Sequence, residues 1–265
     1  MRKNLVGGFA LFAAVAVMAA VTTSEAQAGT LYVVGRRPSP PFTQAIFIVD
    51  KATGQTSLVA DLNPYFFEES TLAIDRDGTV FISDIFLDGS IDAVVLGRVD
   101  LATGTAQRIF PDGFDSPHYS GMAIAADGAF YGASYLDAFP RLYRLSRTTS
   151  AATLVGQFAG QLQICGLAAA ADGRLFALSS TNLYALNGAT AALTLIGPHG
   201  IPFNRPDFID LMGFTYDEDD GFLYATDTEF QDPVTTLYRL NPATGAATAI
   251  GPMGTCGSPA PWSRP

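Results

Sequence analysis

The chain repeats itself, and the period of the repeat leaves few architectures open. The segments IFIVDKATGQTSLVA, LGRVDLATGTAQRIF, LYRLSRTTSAATLVG, LYALNGATAALTLIG and LYRLNPATGAATAIG begin at Ile46, Leu96, Leu142, Leu183 and Leu237. A second unit lies between them, clearest in SGMAIAADGAFYGAS and ICGLAAAADGRLFALSS, and weaker in STLAIDRDGTVFISD and LMGFTYDEDDGFLYATD. Its Asp-Gly pairs stand at Asp77-Gly78, Asp127-Gly128, Asp172-Gly173 and Asp220-Gly221, with spacings of 50, 45 and 48 residues. Each unit is two short runs of alternating apolar residues around a turn. The turn residues, Asp-Gly in one unit and Thr-Gly in the other, tolerate positive φ or bond their own backbone. Both units read as β-hairpins.

Two hairpins per period make a four-stranded sheet, and that period marks blades stacked around a channel. The expected fold is therefore all-β, a five-bladed propeller of four-stranded antiparallel blades with strands a to d running outward. Strand a is the Gly/Ala-rich run, whose small residues suit the crowded centre. The aromatics Phe81, Tyr131, Phe176, Tyr224, Tyr143, Tyr184 and Tyr238 fall on strands b and c, and period two sends them between blades. The first blade starts at Leu31-Tyr32-Val33-Val34, which matches strand b, so its strand a is expected from the C-terminal segment. Cys256-Gly257 there resembles Cys165-Gly166 at the head of a true strand a. Pro259, Pro261 and Pro265 oppose that pairing, because proline cannot donate to a ladder, and the alternative is a three-stranded first blade.

Ahead of the repeats, Arg2 and Lys3 precede an apolar run from Leu5 to Val21, and Ala26-Gln27-Ala28 follows. This is the pattern of a signal peptide over residues 1–28, cleaved after Ala28, with a membrane anchor as the other reading. Residues 29–265 then form one propeller domain, expected in the periplasm or outside the cell, with no membrane span after cleavage. Removing the leader takes Arg2, Lys3 and Glu25, so 15 − 2 = 13 basic residues face 25 − 1 = 24 acidic ones. Phosphate backbones and anionic membranes are poor partners for that charge, so no nucleic acid is expected. A small molecule, a glycan or a protein remains open. Cys165 and Cys256 are a disulfide candidate in an oxidising compartment. They cannot make a zinc site alone, because zinc wants four ligands and His118 and His199 sit at unrelated spacings.

The segments LYRLNPATGAATAIG and GLAAAADGRLFALSS resemble the repeats of secreted bacterial propellers, the broad group that includes quinoprotein-like and lactonase-like domains. That resemblance implies the architecture and says little about activity. Quinoprotein repeats usually end in Trp after the Thr-Gly turn, where this chain has Val59, Ile109, Val155, Ile196 and Ile250. Trp262 lies in the tail, so pyrroloquinoline quinone is not expected. Five-bladed glycosidases place carboxylates on inner strands, whereas strand a here offers Asp75 and Asp217 only at its far end.

In a propeller, the d-to-a and b-to-c loops share one face. Here the d-to-a loops are long and carry Tyr65, Glu68, Glu69, Asp115, His118, Tyr119, Gln161, Gln163, Arg205, Asp207 and Asp210, and the b-to-c loops add Asp84, Asp88, Asp92, Asp137, Asp227, Glu229 and Asp232. The opposite face has only short turns. The candidate ligand-binding set is Glu68, Glu69, Asp84, Asp115, His118, Tyr119, Arg205, Asp207, Asp210 and Asp227. Converging carboxylates could hold Ca²⁺ or attract a cationic ligand, and the plainer reading is solubility. Asp75-Arg76-Asp77-Gly78 begins like a calcium loop, but Phe86 stands at the twelfth position, where Glu is required. His118 is the one candidate general base or metal ligand, while His199 sits in a turn-like Gly-Pro-His-Gly. No nucleophile elbow, zincin motif or phosphate loop is present. The leading expectation is an exported non-catalytic binding propeller with no cofactor. The alternatives are a Ca²⁺-assisted hydrolase of the lactonase kind and a repeat protein without a dedicated site.

Overall fold

The structure is a computed structural model that describes residues 30–36, 44–62, 67–87, 92–109, 119–134, 139–149, 151–202, 213–227 and 235–253. Five antiparallel sheets follow one another along the chain. Blade 1 contains β1 (Leu31–Arg36), β2 (Gln44–Val49) and β3 (Thr56–Asp61). Blade 2 contains β4 (Phe67–Ile74), β5 (Val80–Leu87), β6 (Asp92–Val99) and β7 (Ala106–Arg108). Blade 3 is β8 (Tyr119–Ile124), β9 (Phe130–Ser134), β10 (Arg141–Leu145) and β11 (Ala152–Gln157). Blade 4 is β12 (Gly166–Ala169), β13 (Leu175–Leu178), β14 (Asn182–Leu186) and β15 (Leu193–Pro198). Blade 5 is β16 (Phe214–Tyr216), β17 (Leu223–Thr226), β18 (Thr236–Leu240) and β19 (Ala247–Pro252). The chain is thus an all-β, five-bladed propeller. Blade 1 has three strands among the described residues, and the C-terminal segment expected to complete it lies outside them.

The core is divided among the seams between blades, because each sheet has apolar residues on both faces and must bury both. Val59 packs with Val80, Ile82 and Val99 between blades 1 and 2, and Ile109 packs with Phe81, Phe130 and Tyr143 between blades 2 and 3. Val155 meets Leu175 and Leu186, and Ile196 meets Leu223 and Leu240, at the next two seams. Ile250 joins Leu31, Val49, Leu237 and Met253 between blades 5 and 1. Four of these five residues occupy a β-bulge, the extra residue that strand d inserts opposite strand c. A bulge turns one side chain out of the pleat. Here it sends that residue into the seam and leaves its neighbour, Leu58, Leu154 or Leu195, exposed on the rim.

The fifth seam closes the ring by the same rules as the others. The Thr-Gly turn of blade 2 rests on the outer strand of blade 1, where a Cβ at Gly104 would lie 1.8 Å from the Asp61 carbonyl oxygen. The turn of blade 5 lies on Gly197 of blade 4, and that of blade 1 lies on Gly251 of blade 5. Gln55 Nε2 donates to the Pro252 carbonyl at 3.0 Å and Thr56 Oγ1 to the Met253 carbonyl at 3.2 Å. Toward the axis, β8 neighbours β4 and β12, and β12 neighbours β16. The approach is close enough that a Cβ on Gly121 would come within 2.5 Å of the Leu167 nitrogen. The small residues of strand a are therefore a packing requirement.

Gly104 combines φ of +69° with that carbonyl contact, whereas Gly173 has φ of +91° and open space around it. Gly104→Ala is expected to destabilise by about 3 kcal/mol through backbone strain plus overpacking. Gly173→Ala is expected to cost about 1 kcal/mol through strain alone. Urea midpoints of the two variants check the difference.

Candidate functional site

Carboxylates at the far end of strand a are where an inner-strand catalytic group would be sought. Asp75 in blade 2 contacts Arg147, which stands in the outer turn of blade 3. Asp217 in blade 5 contacts Lys51, which stands at the same turn position in blade 1. At the intervening seams, strand a ends in Ala125 and Ala170, and the facing turn positions hold Gly188 and Pro242. A carboxylate thus occurs only where the next blade brings a cation. Both ion pairs are partly shielded, Asp217 almost completely. The hydrogen bond to Asp217, with the nearby Asp217, Asp220 and Asp219 charges, holds Lys51 above its ordinary range against the opposing cost of burial.

Asp227 has a structural task as well. Its Oδ1 accepts the Thr236 N–H at the head of β18, and its Oδ2 accepts the Tyr238 hydroxyl at 3.0 Å. Ser134 and Ser179 stand at the same repeat position and do the same work. Ser134 Oγ accepts the Arg141 N–H at 3.2 Å, and Ser179 Oγ accepts the Asn182 N–H at 3.0 Å. The position closes the b-to-c hairpin in blades 3, 4 and 5. Tyr119 is buried in the seam between blades 2 and 3, edge-on to Tyr143 at 6.3 Å.

Glu68, Glu69 and Asp84 were expected in loops. Glu68 and Glu69 instead lie within β4, and Asp84 lies within β5 opposite Val95. The first and second strands of blade 2 run longer than the turn signals imply: β5 pairs with β6 without interruption as far as Leu87, and β4 resumes its pairing with β5 at Phe67 beyond an irregularity between Phe67 and Thr71 that contains Glu68 and Glu69. Asp115, His118, Arg205, Asp207 and Asp210 lie outside the described residues. Cys165 is buried in the seam between blades 4 and 5, while Cys256, its proposed disulfide partner, lies outside the described residues. Among the described residues, no three His, Cys, Asp or Glu side chains converge as a metal site. No helix among them is long and apolar enough to cross a membrane.

His199 is more structured than its turn-like sequence suggests. It is 2 % exposed, its Nδ1 accepts the Ile201 N–H at 3.0 Å, and its Nε2 lies 3.1 Å from the Ser179 carbonyl. An accepting Nδ1 requires the proton on Nε2, so the ring is the neutral Nε2–H tautomer. Burial lowers its pKa, and the Ser179 carbonyl only partly offsets that. His199 pins the d-to-a connection of blade 4 onto its b-to-c turn, with its own N–H donating to the Thr181 carbonyl.

The polar feature that turn and motif signals did not disclose lies on the short-turn side, between blades 2 and 3. A cleft there of about 330 Å³ is bordered by Asp75, Asp77, Arg98 and Arg147. The Thr79 N–H donates to Asp77 and lowers its pKa, with Arg147 and Arg98 contributing smaller charge effects. The sequence signal was available in the repeat alignment. Arg98, Arg144 and Arg239 share one position on strand c, paired with Phe81, Tyr131 and Tyr224 of strand b, and Thr79, Ala129, Arg174 and Phe222 share the position just ahead of strand b.

No protein-family model matches the chain, and no curated protein matches it. Among solved structures, TolB from Acinetobacter baumannii is similar with a TM-score of 0.47 and 14% identity, over 89% of this chain and 55% of that one. A gluconolactonase from Xanthomonas campestris gives 0.49 and 15% over 88% of this chain and 80% of that one. A chain of a nidogen/laminin complex gives 0.49 and 13% over 84% and 93%. The chain spans about half the length of the first of these. Its own strand ladders define it as a β-propeller repeat protein.

A neutral buried His199 makes folding pH-dependent. With the folded pKa below the unfolded value of about 6.5, the unfolded chain takes up more protons, so stability falls as pH drops through that value. The melting temperature is expected to decline from pH 7.5 to 5.5. His199→Gln should flatten that slope whatever its effect on the absolute melting temperature, and His118→Gln serves as the control for the other histidine.

Proposed function

We propose that the protein is an exported, non-catalytic binding propeller whose acidic loop face engages a small molecule, a glycan or a protein. The reading rests most on the asymmetry of the connections. The a-to-b and c-to-d links are uniformly short turns such as Asp50–Gln55 and Asn241–Ala246. On the other face the links from Arg108 to Tyr119, from Pro198 to Phe214 and from Thr226 to Thr236 are long, while those from Leu87 to Asp92 and from Leu178 to Asn182 stay short. A rigid ring with one elaborated face is the usual arrangement for a binding surface carried on loops. The long links contain Asp112, Asp115, Asp207, Asp210, Asp227, Glu229 and Asp232 against Arg205, which favours a cationic or neutral ligand.

The described carboxylates and histidine closest to catalytic positions, Asp75, Asp217, Asp227 and His199, are engaged in holding blades and hairpins together. That supports binding over turnover. Export rests on Arg2, Lys3 and the apolar run to Val21, and places the mature chain in the periplasm or outside the cell.

The chain from residue 29 onward tests this reading with an immobilised oligolysine peptide at low salt. Saturable binding is expected, weakened about tenfold when Asp115, Asp207 and Asp210 become Asn together. Equal binding by that variant would remove the acidic face from the account. Hydrolysis of a lactone that depends on added Ca²⁺ would replace the binding reading with a metal-assisted hydrolase.

A further inference from the structure

The cleft between blades 2 and 3 exists because of one residue. Thr79 occupies the position held by Arg174 in blade 4 and Phe222 in blade 5. Arg174 covers its seam by lying over Phe176 and Tyr216, at 5.3 and 5.6 Å from the ring centres. Phe222 lies under Arg239, whose guanidinium is 4.5 Å from the ring centre. Arg98 is the blade 2 equivalent of Arg239, and Thr79 is too short to cover it. Between blades 3 and 4 the turn settles instead onto the Tyr131 hydroxyl, which a Cβ at Gly188 would approach to 2.6 Å.

The charges left in the cleft have a definite pattern. Arg147 is neutralised by Asp75. Arg98 donates from Nη2 to Thr79 Oγ1 at 3.0 Å, and the rest of its fork has no partner among the described residues. Asp77 accepts the Thr79 N–H at 2.9 Å, so Thr79 stands between Arg98 and Asp77 and they form no ion pair with each other. Besides the Asp75–Arg147 pair, one further cation and one further anion therefore border the same cleft of about 330 Å³, a volume at the lower end of small-molecule sites. Phe81 and Ile109 supply its apolar lining.

We propose that this cleft binds a small apolar zwitterion of the amino-acid class, with its carboxylate on Arg98, its ammonium on Asp77 and its side chain against Phe81 and Ile109. A guanidinium fork suits a carboxylate, and each charge-assisted bond is stronger than a neutral one. A plain carboxylate would meet the Asp77 charge, and a plain amine would meet Arg98. The site lies on the face opposite the elaborated loops, so it is independent of the binding surface proposed above.

Isothermal titration of the chain from residue 29 onward with L-leucine, isocaproate and isoamylamine tests the proposal. Leucine is expected to bind saturably at one site, and the acid and the amine about tenfold more weakly, since each lacks one charged contact. Arg98→Gln should weaken leucine about tenfold. Thr79→Phe, which installs the blade 5 residue, should abolish binding while the melting curve shows a folded protein. Absence of saturable leucine binding at millimolar concentration would overturn the proposal. So would isocaproate or isoamylamine binding as well as leucine, or leucine binding unchanged by Arg98→Gln.

Discussion

The structure depends on how closely the outer turn of one blade can lie against the outer strand of the blade before it. That approach is backbone to backbone, with Gly104 over Asp61, Gly245 over Gly197 and Gly54 over Gly251. A side chain at any of these places would lift the turn and open the seam beneath it. The bulge in strand d works with the turn, because it redirects Val59, Val155, Ile196 and Ile250 into the space the turn covers. These four side chains are partly buried, so each adds less than a fully buried side chain of this size, which contributes about 1.5–3 kcal/mol relative to exposure. The ring is a sum of five such seams, so no single large core is needed.

Most of this architecture was legible in the sequence because a repeat samples the same physics several times. The Asp-Gly and Thr-Gly turns announced the hairpins, and the aromatics at period two fell in the seams as expected. The bulge was not legible, since Ile250 and its equivalents look like ordinary alternating strand residues until the register shift is seen. The seam ion pairs were legible only across repeats: Asp75 and Asp217 must be read against Arg147 and Lys51, which lie one blade further on. Glu68, Glu69 and Asp84 were misplaced because the strands of blade 2 continue past residues that resemble loop ends.

The same logic sorts the polar residues. Asp227, Ser134 and Ser179 perform one hairpin-closing task with different side chains, which identifies that task as structural. His199 is satisfied at both ring nitrogens within blade 4. Function is then sought where repeats differ without a structural reason. That criterion points to the long loops on one face, and to the uncovered Arg98 between blades 2 and 3.

The central claim is that blade 5 meets blade 1 through a seam built like the rest, and Lys51 reports on it directly. Lys3 and Lys51 are the two lysines of the sequence, so in the chain from residue 29 onward Lys51 is the sole side-chain amine. A zero-length carbodiimide couples an amine only to a carboxylate in contact with it. Mass mapping of the monomeric product is predicted to show Lys51 joined to Asp217 or, at 3.9 Å, to Asp219. Lys51 joined to a carboxylate elsewhere in the monomer, with neither of these links formed, would contradict the closed ring.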